Sequence, residues 1–265
     1  MSAKILISII TVVRNDEANI EKTIKSIICQ KDETVEYIII DGNSSDNTTK
    51  IIDNYNNHID KFISEPDKNL YDAINKGIKL SSGKIIGICL SGDHYKPGAF
   101  NIVRNYFTKK PDVDFFFGSI IRNYTDSTVI KQGFNPKRIL YNFDAQTSIS
   151  TGFFITKNAY DTVGEYDLNF PVSSDYDFFY RIMIKHKLKG ISSDKDEIVG
   201  EMSAGGLSSK VTFMNHIKEQ FKIRFKNKQN IFFICLIFVN AIFKNLPRIF
   251  KEFKLNKYAK KLNRE

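Results

Sequence analysis

The groups in this chain best suited to chemistry are carboxylates that close apolar runs. Asp41 ends the run Val35–Ile40 and opens the turn Gly42-Asn43-Ser44-Ser45-Asp46. A carboxylate directly after an apolar strand is costly unless it binds something, and as an acceptor it suits the N–H of a base or a ribose hydroxyl. Ser45 or Asp46 would cap the helix that follows. Ser91-Gly92-Asp93-His94 follows the run Ile85–Leu90. Gly92 permits a close backbone approach, and Asp93 is a hard oxygen ligand. Mg²⁺ takes one or two carboxylates together with substrate phosphates, so one Asp suffices for a metal held mainly by a diphosphate. Mn²⁺ would also accept His94, although a lone His is more often a packing or hydrogen-bonding residue. Asp175 and Asp177 open a helical pattern. A general base needs a carboxylate on a rigid element, and either fits; acids at a helix start are also stabilising with no catalytic role. Glu65–Gly77 packs Asp67, Tyr71, Asp72, Asn75 and Lys76 into a loop and the start of a helix. Asp72, Asn75 and Lys76 share one helix face. They form either a solvated face with an internal ion pair or contacts to a phosphate or sugar.

These residues need elements to position them. Ile5–Val13 reads as a strand covered on both faces. Asn15 or Asp16 is expected to cap the next helix, marked by Ile20, Ile24, Ile27 and Ile28. Val35–Ile40, Lys61–Ser64 and Lys84–Leu90 read as strands, with helices around Ile51 to Tyr55 and over Tyr71–Leu80. The order β-α-β-α-β-α-β requires parallel strands, right-handed crossovers and helices on both faces. Ligands of such sheets sit at the carboxyl ends of the strands. Four polar loops would converge there: Arg14–Glu17, Asp41–Asp46, Glu65–Asn69 and Ser91–His94. Neither G-x-G-x-x-G nor G-x-x-x-x-G-K-[ST] occurs, which excludes the usual dinucleotide and P-loop sites. Further on, Asp114–Ile121 and Thr128–Gln132 read as strands, Lys157–Val163 and Asp175–Lys187 as helices. Residues 119–151 are expected to set specificity.

The formal net charge of +9 over 265 residues is unevenly spread: residues 210–265 hold 14 basic and 3 acidic side chains. A near-neutral body to residue 209 with a basic appendage excludes a uniformly basic nucleic-acid coat, and no groove-reading or stacking module for nucleic acid is evident. Hydrophobic content of 42% and charged content of 26% exclude general disorder. Cys29, Cys89 and Cys235 have no metal-ligand spacing; Cys29 and Cys89 lie in apolar runs and read as buried free thiols of a reducing compartment. The first apolar run lacks a signal-peptide cleavage site and reads as a strand.

Within the appendage, Ile231–Phe243 contains thirteen residues with one Asn. As a helix it spans about 20 Å, short of the ~30 Å hydrocarbon core. Leu246, Ile249, Phe250, Phe253 and Leu255 then form an amphipathic stripe between lysines. The pair of segments fits an interfacial element on an anionic membrane leaflet, or a helix packed on the body with a solvated basic face.

The series SIITVVRND, VEYIIIDGNSSD, EPDKNLYDAINKG, LSGD and SDYDFFYR resembles family two glycosyltransferases with a GT-A fold. The likeness is greatest to bacterial members that build surface polysaccharides such as capsule and O-antigen, and it covers residues 5–210. It implies an α/β, Rossmann-like and mostly parallel sheet with helices on both faces, followed here by a C-terminal amphipathic helical tail. It further implies an inverting enzyme that uses a nucleotide-diphosphate sugar, UDP-sugars favoured, with Mg²⁺ or Mn²⁺. By position, Thr11, Val13, Arg14 and Asn15 correspond to the nucleotide-facing end of the first strand, and Asp41 to the acid that contacts base and ribose. Asp67, Tyr71, Asp72, Asn75, Lys76, Ser91 and Gly92 fall in the donor-binding motifs. Asp93 corresponds to the last acid of a D-x-D-like motif, with His94 beside it. Asp175 corresponds to the general base, with Asp177 nearby. Gly205-Gly206-Leu207-Ser208 resembles a glycine-rich element near the active-site lid. Two positions depart: Ser91 replaces the first acid of D-x-D, and Ser174 replaces the Glu of an E-D motif. The implied acceptor is a saccharide on a polyprenyl diphosphate, met at the inner, cytoplasmic face of the cell membrane. The competing readings are a non-catalytic peripheral protein that binds membrane or polyanions through its basic tail, and a two-carboxylate glycoside hydrolase.

Overall fold

A computed structural model of the chain describes residues 6–133, 151–204, 211–247 and 249. The first half alternates as expected: β1 (Ile7–Val13), α1 (Ile20–Ile28), β2 (Val35–Asp41), α2 (Thr48–Asp53), β3 (Lys61–Ser64), α3 (Leu70–Leu80) and β4 (Ile85–Leu90). A short β5 (His94–Tyr95) and α4 (Ala99–Lys109) follow, then β6 (Phe115–Phe117), β7 (Ser119–Asn123) and β8 (Thr128–Lys131). The remainder comprises β9 (Phe153–Thr156), α5 (Lys157–Val163), α6 (Ser174–Tyr180), β10 (Gly190–Ser192), β11 (Ile198–Met202), α7 (Phe213–Lys226) and α8 (Ile231–Lys244).

The main sheet has seven strands in the order β10-β6-β9-β4-β1-β2-β3. β1, β2, β3 and β4 are mutually parallel, and β9 runs antiparallel between β4 and β6. The register sets Val13 beside Asp41, Val12 beside Leu90 and Asp41 beside Ser64. Four strands therefore end level with one another, which brings their loops to one edge. Alternation along each strand feeds two cores. Ile10, Val12, Ile38 and Ile40 face α3 and the aromatic residues of α6, while Ile7, Ile9, Tyr37 and Ile39 face α1 and α4.

Gly77 shows how tightly α3 lies on β1: a Cβ there would stand 2.4 Å from Ile10 Cγ2. Gly118 divides the strand expected over Asp114–Ile121. A Cβ on it would stand 2.3 Å from Val199 Cγ2, and the chain there leaves the main sheet (β6) for a second, four-stranded sheet ordered β5-β11-β7-β8.

Four further expectations change. The α2 N-cap is Asn47, not Ser45 or Asp46. The α1 N-cap is Asn19, not Asn15 or Asp16, and its side chain makes no capping bond. Cys29 is exposed at the end of α1, whereas Cys89 is buried in β4. The helix expected over Asp175–Lys187 is α-helical only to Tyr180 and widens into a π turn over Arg181–Lys185. Farther along, α7 packs into the body: its Ile223 belongs to the same core as Ile10 and Phe178. α8 packs on α7 through Ile237 and Ala241 against Ile217. Leu246 and Ile249 follow α8; Phe250, Phe253 and Leu255 lie outside the described residues.

Gly77→Ala should overpack the α3–β1 contact and cost about 1–3 kcal/mol. That cost is read as a lowered urea midpoint, against no change for Lys79→Ala on the same helix.

Candidate active site

At the carboxyl edge of the sheet lies a cleft of about 800 Å³. Its walls come from the end of β1 and its loop (Val12 to Asp16), the β3–α3 loop (Asp67 to Leu70), the end of β4 (Leu90 to Asp93), Pro171 and Val172, and the end of β11 (Met202 to Ala204). Three of the four loops expected to converge do so. The fourth, after β2, stands behind the first and holds it.

That support begins at Asp41, which is 0% exposed. Its carboxylate accepts from Ser44 N at 3.0 Å, from Ser64 Oγ at 2.6 Å, and from Ser44 Oγ. Its acceptor capacity is thus turned to the protein and not to the cleft. Ser44 Oγ in turn accepts from Asn15 N at 2.7 Å, and Asn15 Oδ1 accepts from Ser45 N at 2.8 Å. Asn15 has a left-handed φ of 50°, a conformation Asn tolerates when its side chain bonds locally. The Asp16 N–H donates to Thr48 Oγ1 at 2.9 Å. Thr11 is also buried, its hydroxyl accepting from Tyr37 OH at 3.1 Å, while Val13, Arg14 and Asn15 reach the cleft.

The α3 motif divides the same way. Asp67 lines the cleft; its carboxylate pairs with Lys76 Nζ at 2.7 Å, and burial, opposed by that lysine, holds its pKa above the usual value. Lys76 also contacts Glu65 at 2.8 Å and Asp72 at 3.8 Å, so it clamps its own loop. Asp72 accepts from Lys68 N at 3.0 Å. Asn75 is turned inward. It bonds Tyr166 O, Tyr166 N and Tyr160 OH at 2.9, 3.0 and 3.1 Å, which makes it a core staple and not a ligand contact. Asn69 caps α3 by accepting from Tyr71 N and Asp72 N.

Ser91, Gly92 and Asp93 all line the cleft. Asp93 is 6% exposed, and its Oδ1 accepts from Ser203 N at 2.9 Å. The Gly92 N–H donates to Thr23 Oγ1 at 3.1 Å. Ser91 Oγ donates to Asp16 Oδ2 at 2.6 Å, so a carboxylate from the β1 loop stands where the D-x-D-like stretch lacks one. Asp93, Asp16 and Ser91 offer hard oxygen donors on one wall, a set that fits Mg²⁺ or Mn²⁺ held largely by phosphates. Among the described residues no cluster of three or more His, Cys, Asp or Glu could hold an ion by itself. His94 does not join this set. It lies in β5, its Nε2 3.3 Å from Glu201, and burial lowers its pKa.

Beyond Val172, outside the lining of the cleft, the two carboxylates of α6 part company, as residues two apart on a helix must. Asp177 is 0% exposed and accepts from Arg181 Nε at 2.8 Å and Asn227 Nδ2 at 2.9 Å; Arg181 also donates to the carbonyls of Val163, Gly164 and Glu165. Asp177 therefore secures the helix and is no candidate base. Asp175 is partly exposed. Its Oδ1 accepts from its neighbour Tyr176 N at 2.8 Å and lies 3.2 Å from Tyr71 OH. The same hydroxyl donates to the carbonyl of Val172, which lines the cleft, at 3.1 Å. Burial pushes the Asp175 carboxyl up to about 6, the range in which a base works near neutral pH.

The cleft residues Asn19, Met202, Ser203 and Ala204 carried no sequence signal, since three of them come from the end of β11, far along the chain. Gly205–Ser208, expected near a lid, lies outside the described residues.

A family model described as glycosyl transferase family 2 matches residues 8–164. An uncharacterized glycosyltransferase of Mycobacterium tuberculosis is 25% identical over 185 residues, covering 68% of this chain and 70% of its own length. A PGL/p-HBAD biosynthesis glycosyltransferase of Mycobacterium bovis is 25% identical over 182 residues, 66% of this chain and 69% of its own. Among solved structures, S. aureus TarS residues 1–349 in complex with UDP-GlcNAc superposes with a TM-score of 0.68 at 14% identity, over 91% of this chain and 73% of that one. The mannosyltransferase PcManGT from Pyrobaculum calidifontis, in complex with GDP-Man and Mn²⁺, gives 0.63 at 13% identity over 91% and 70%. These likenesses establish the GT-A fold.

The two α6 carboxylates should separate by experiment. Asp177→Ala leaves Arg181 buried without its counter-charge and should cost about 3–5 kcal/mol in thermal or urea unfolding. The raised pKa of Asp175 has the opposite sign. Because the unfolded chain ionises it more readily, the folded state loses stability as pH rises from about 4 to about 6. Asp175→Asn should remove that loss, stabilising by up to about 3 kcal/mol above pH 6 and not at pH 4.

Proposed function

The chain belongs to glycosyl transferase family 2, and we propose that it moves a sugar from a nucleotide-diphosphate sugar to a hydroxyl of a saccharide acceptor, inverting the anomeric carbon, in the building of a surface polysaccharide. The observation that carries this reading is the single cleft that joins the β1 and β3 loop ends, suited to a nucleoside, with Asp93 and Asp16. The nucleoside lies against Val13, Arg14, Asn15 and Asp67, with a UDP-sugar the favoured donor. Asp93, with Asp16 beside it, would hold Mg²⁺ or Mn²⁺ on the donor diphosphate; a bound divalent ion supplies positive charge to that leaving group. Asp175 takes the acceptor's hydroxyl proton. As it does so, the acceptor oxygen bonds to the anomeric carbon and the bond from that carbon to the diphosphate oxygen breaks. Tyr71, linked to Asp175 and to the cleft wall at Val172, orients the base.

The acceptor in this reading is carried on a polyprenyl diphosphate at the inner face of the cell membrane. Among the described residues no helix is long and apolar enough to cross a membrane. α8 nevertheless leaves Phe232 and Phe243 each 68% exposed and Leu236 56% exposed. Exposed lysines flank them at 218, 222, 228 and 244. A short apolar helix face between cations suits the interface of an anionic bilayer.

Three measurements test this reading. UDP-sugars with Mn²⁺ should raise the melting temperature, and transfer should fall at least about a hundredfold in Asp93→Ala or Asp175→Asn; full activity in either variant would overturn the roles given. In flotation, the chain should rise with phosphatidylglycerol-containing vesicles and not with phosphatidylcholine alone. Phe232→Glu combined with Phe243→Glu should leave it in the pellet fraction.

A further inference from the structure

Asp175 enters α6 from a short segment, and that segment is held from outside. Ser173 is the N-cap of α6, yet its side chain makes no capping bond. Instead one carboxylate from α7, Glu219, accepts two consecutive backbone N–H groups: Val172 N at 3.2 Å and Ser173 N at 2.9 Å through its Oε2. Ser173 is fully buried, so its amide has no water to turn to and the bond from Glu219 satisfies it. A neighbouring α7 residue adds a second tie, with Ser173 Oγ 3.2 Å from His216 Nδ1 and His216 Nε2 3.0 Å from Gln220 Nε2.

We infer that Glu219 is a positioning residue for the base: it fixes the peptide run 172–173 that aims Asp175. The inference rests on Asp175 serving as the base and deepens that reading. Val172 is the residue at which both requirements meet. Its N–H goes to Glu219, its carbonyl accepts from Tyr71, and its side of the segment lines the cleft. Among the described residues Glu219 is the acceptor of both N–H groups, and without it Asp175 would lose its direction relative to Tyr71. Among the described residues, the groups that face Asp175 are Tyr71 from α3, Tyr166 from the segment before α6, its neighbour Tyr176 on α6, and Glu219 from α7. Burial is the main cause of its raised pKa, the bonds from Tyr176 and Tyr71 oppose it, and the charge of Glu219 adds to it.

Charge and geometry can be tested separately, the charge without any sugar donor. The full chain, Asp175→Asn, Glu219→Gln and the double variant are unfolded in urea from pH 4 to pH 8. The stability difference between partners with and without Asp175 reports the titration of Asp175 in each background. Gln keeps an acceptor oxygen for both N–H groups and removes the charge. In the Glu219→Gln background the rise of that difference should therefore end at a lower pH. An unchanged end point overturns the charge contribution assigned to Glu219. For position, Glu219→Ala should lower kcat for turnover of UDP-sugars about tenfold or more with KM for the donor unchanged, and Glu219→Gln should keep most of that kcat. Wild-type kcat in Glu219→Ala, or equal losses in both variants, overturns the positioning role. Absence of UDP-sugar turnover in the unaltered chain would instead count against the proposed function, and leaves the titration result standing on its own.

Discussion

A buried carboxylate with its bonding satisfied inside the protein is the constraint on which the cleft depends. Asp41 ends β2 with no exposure to water, and an ion so placed is tolerable only if several donors meet it. Ser44 and Ser64 supply them. Meeting that demand folds the β2 loop back on itself, and the folded loop then presents Ser44, Ser45 and Thr48 to the β1 loop as bonding partners for Asn15 and Asp16. The cleft wall formed by residues 13–16 is thus shaped by a group that does not itself line the cleft. The level ending of the four parallel strands brings the loops near; the Asp41 network decides which way they point.

A second buried pair plays a similar part in α6, which follows the cleft residue Val172 in the chain. Asp177 and Arg181, with Asn227 and three carbonyls around them, lock α6 where it passes into a π turn. This lets the helix carry a different carboxylate, Asp175, in a setting that costs the protein stability at neutral pH. The two acids are two residues apart and have opposite effects on the folded state. One stabilises because it is fully paired, and the other is strained electrostatically in the way a base near neutral pH must be.

Much of this was legible in the residues. Strands β1 to β4 stand in the sequence as apolar runs, each closed by a polar loop, and their order and parallel pairing follow from connection rules. What the sequence withheld was direction. Asn75 shares a helix face with Asp72 and Lys76 by spacing, yet it turns inward, because Tyr160 and Tyr166 arrive from a part of the chain some ninety residues later to bond it. Asp41 reads as costly and therefore bound, but a nearby serine satisfies a carboxylate as well as a ligand does. Cys29 belongs to an apolar run and still faces water, since α1 ends there. The break at Gly118 was hidden inside an unbroken apolar pattern, because the crowding by Val199 that requires glycine comes from a distant strand. Local pattern shows which residues can form an element. It does not show which distant group claims each side chain.

The place of α7 in the fold has a consequence for the order in which the protein becomes competent. Every strand of both sheets and every cleft residue precedes α7 in the chain, yet the peptide run before Asp175 and the second oxygen of Asp177 are held only when Glu219 and Asn227 arrive. Contacts of this sequence separation form late, after the loop between them has been closed. During synthesis the sheet can assemble while Asp175 still lacks its fixed direction, and its surroundings are completed by one of the last segments to join. The same helix supports α8 and its exposed apolar face. Fixing of the Asp175 segment and seating of α8, with Phe232 and Phe243 left exposed, are thereby one event in the maturation of the chain.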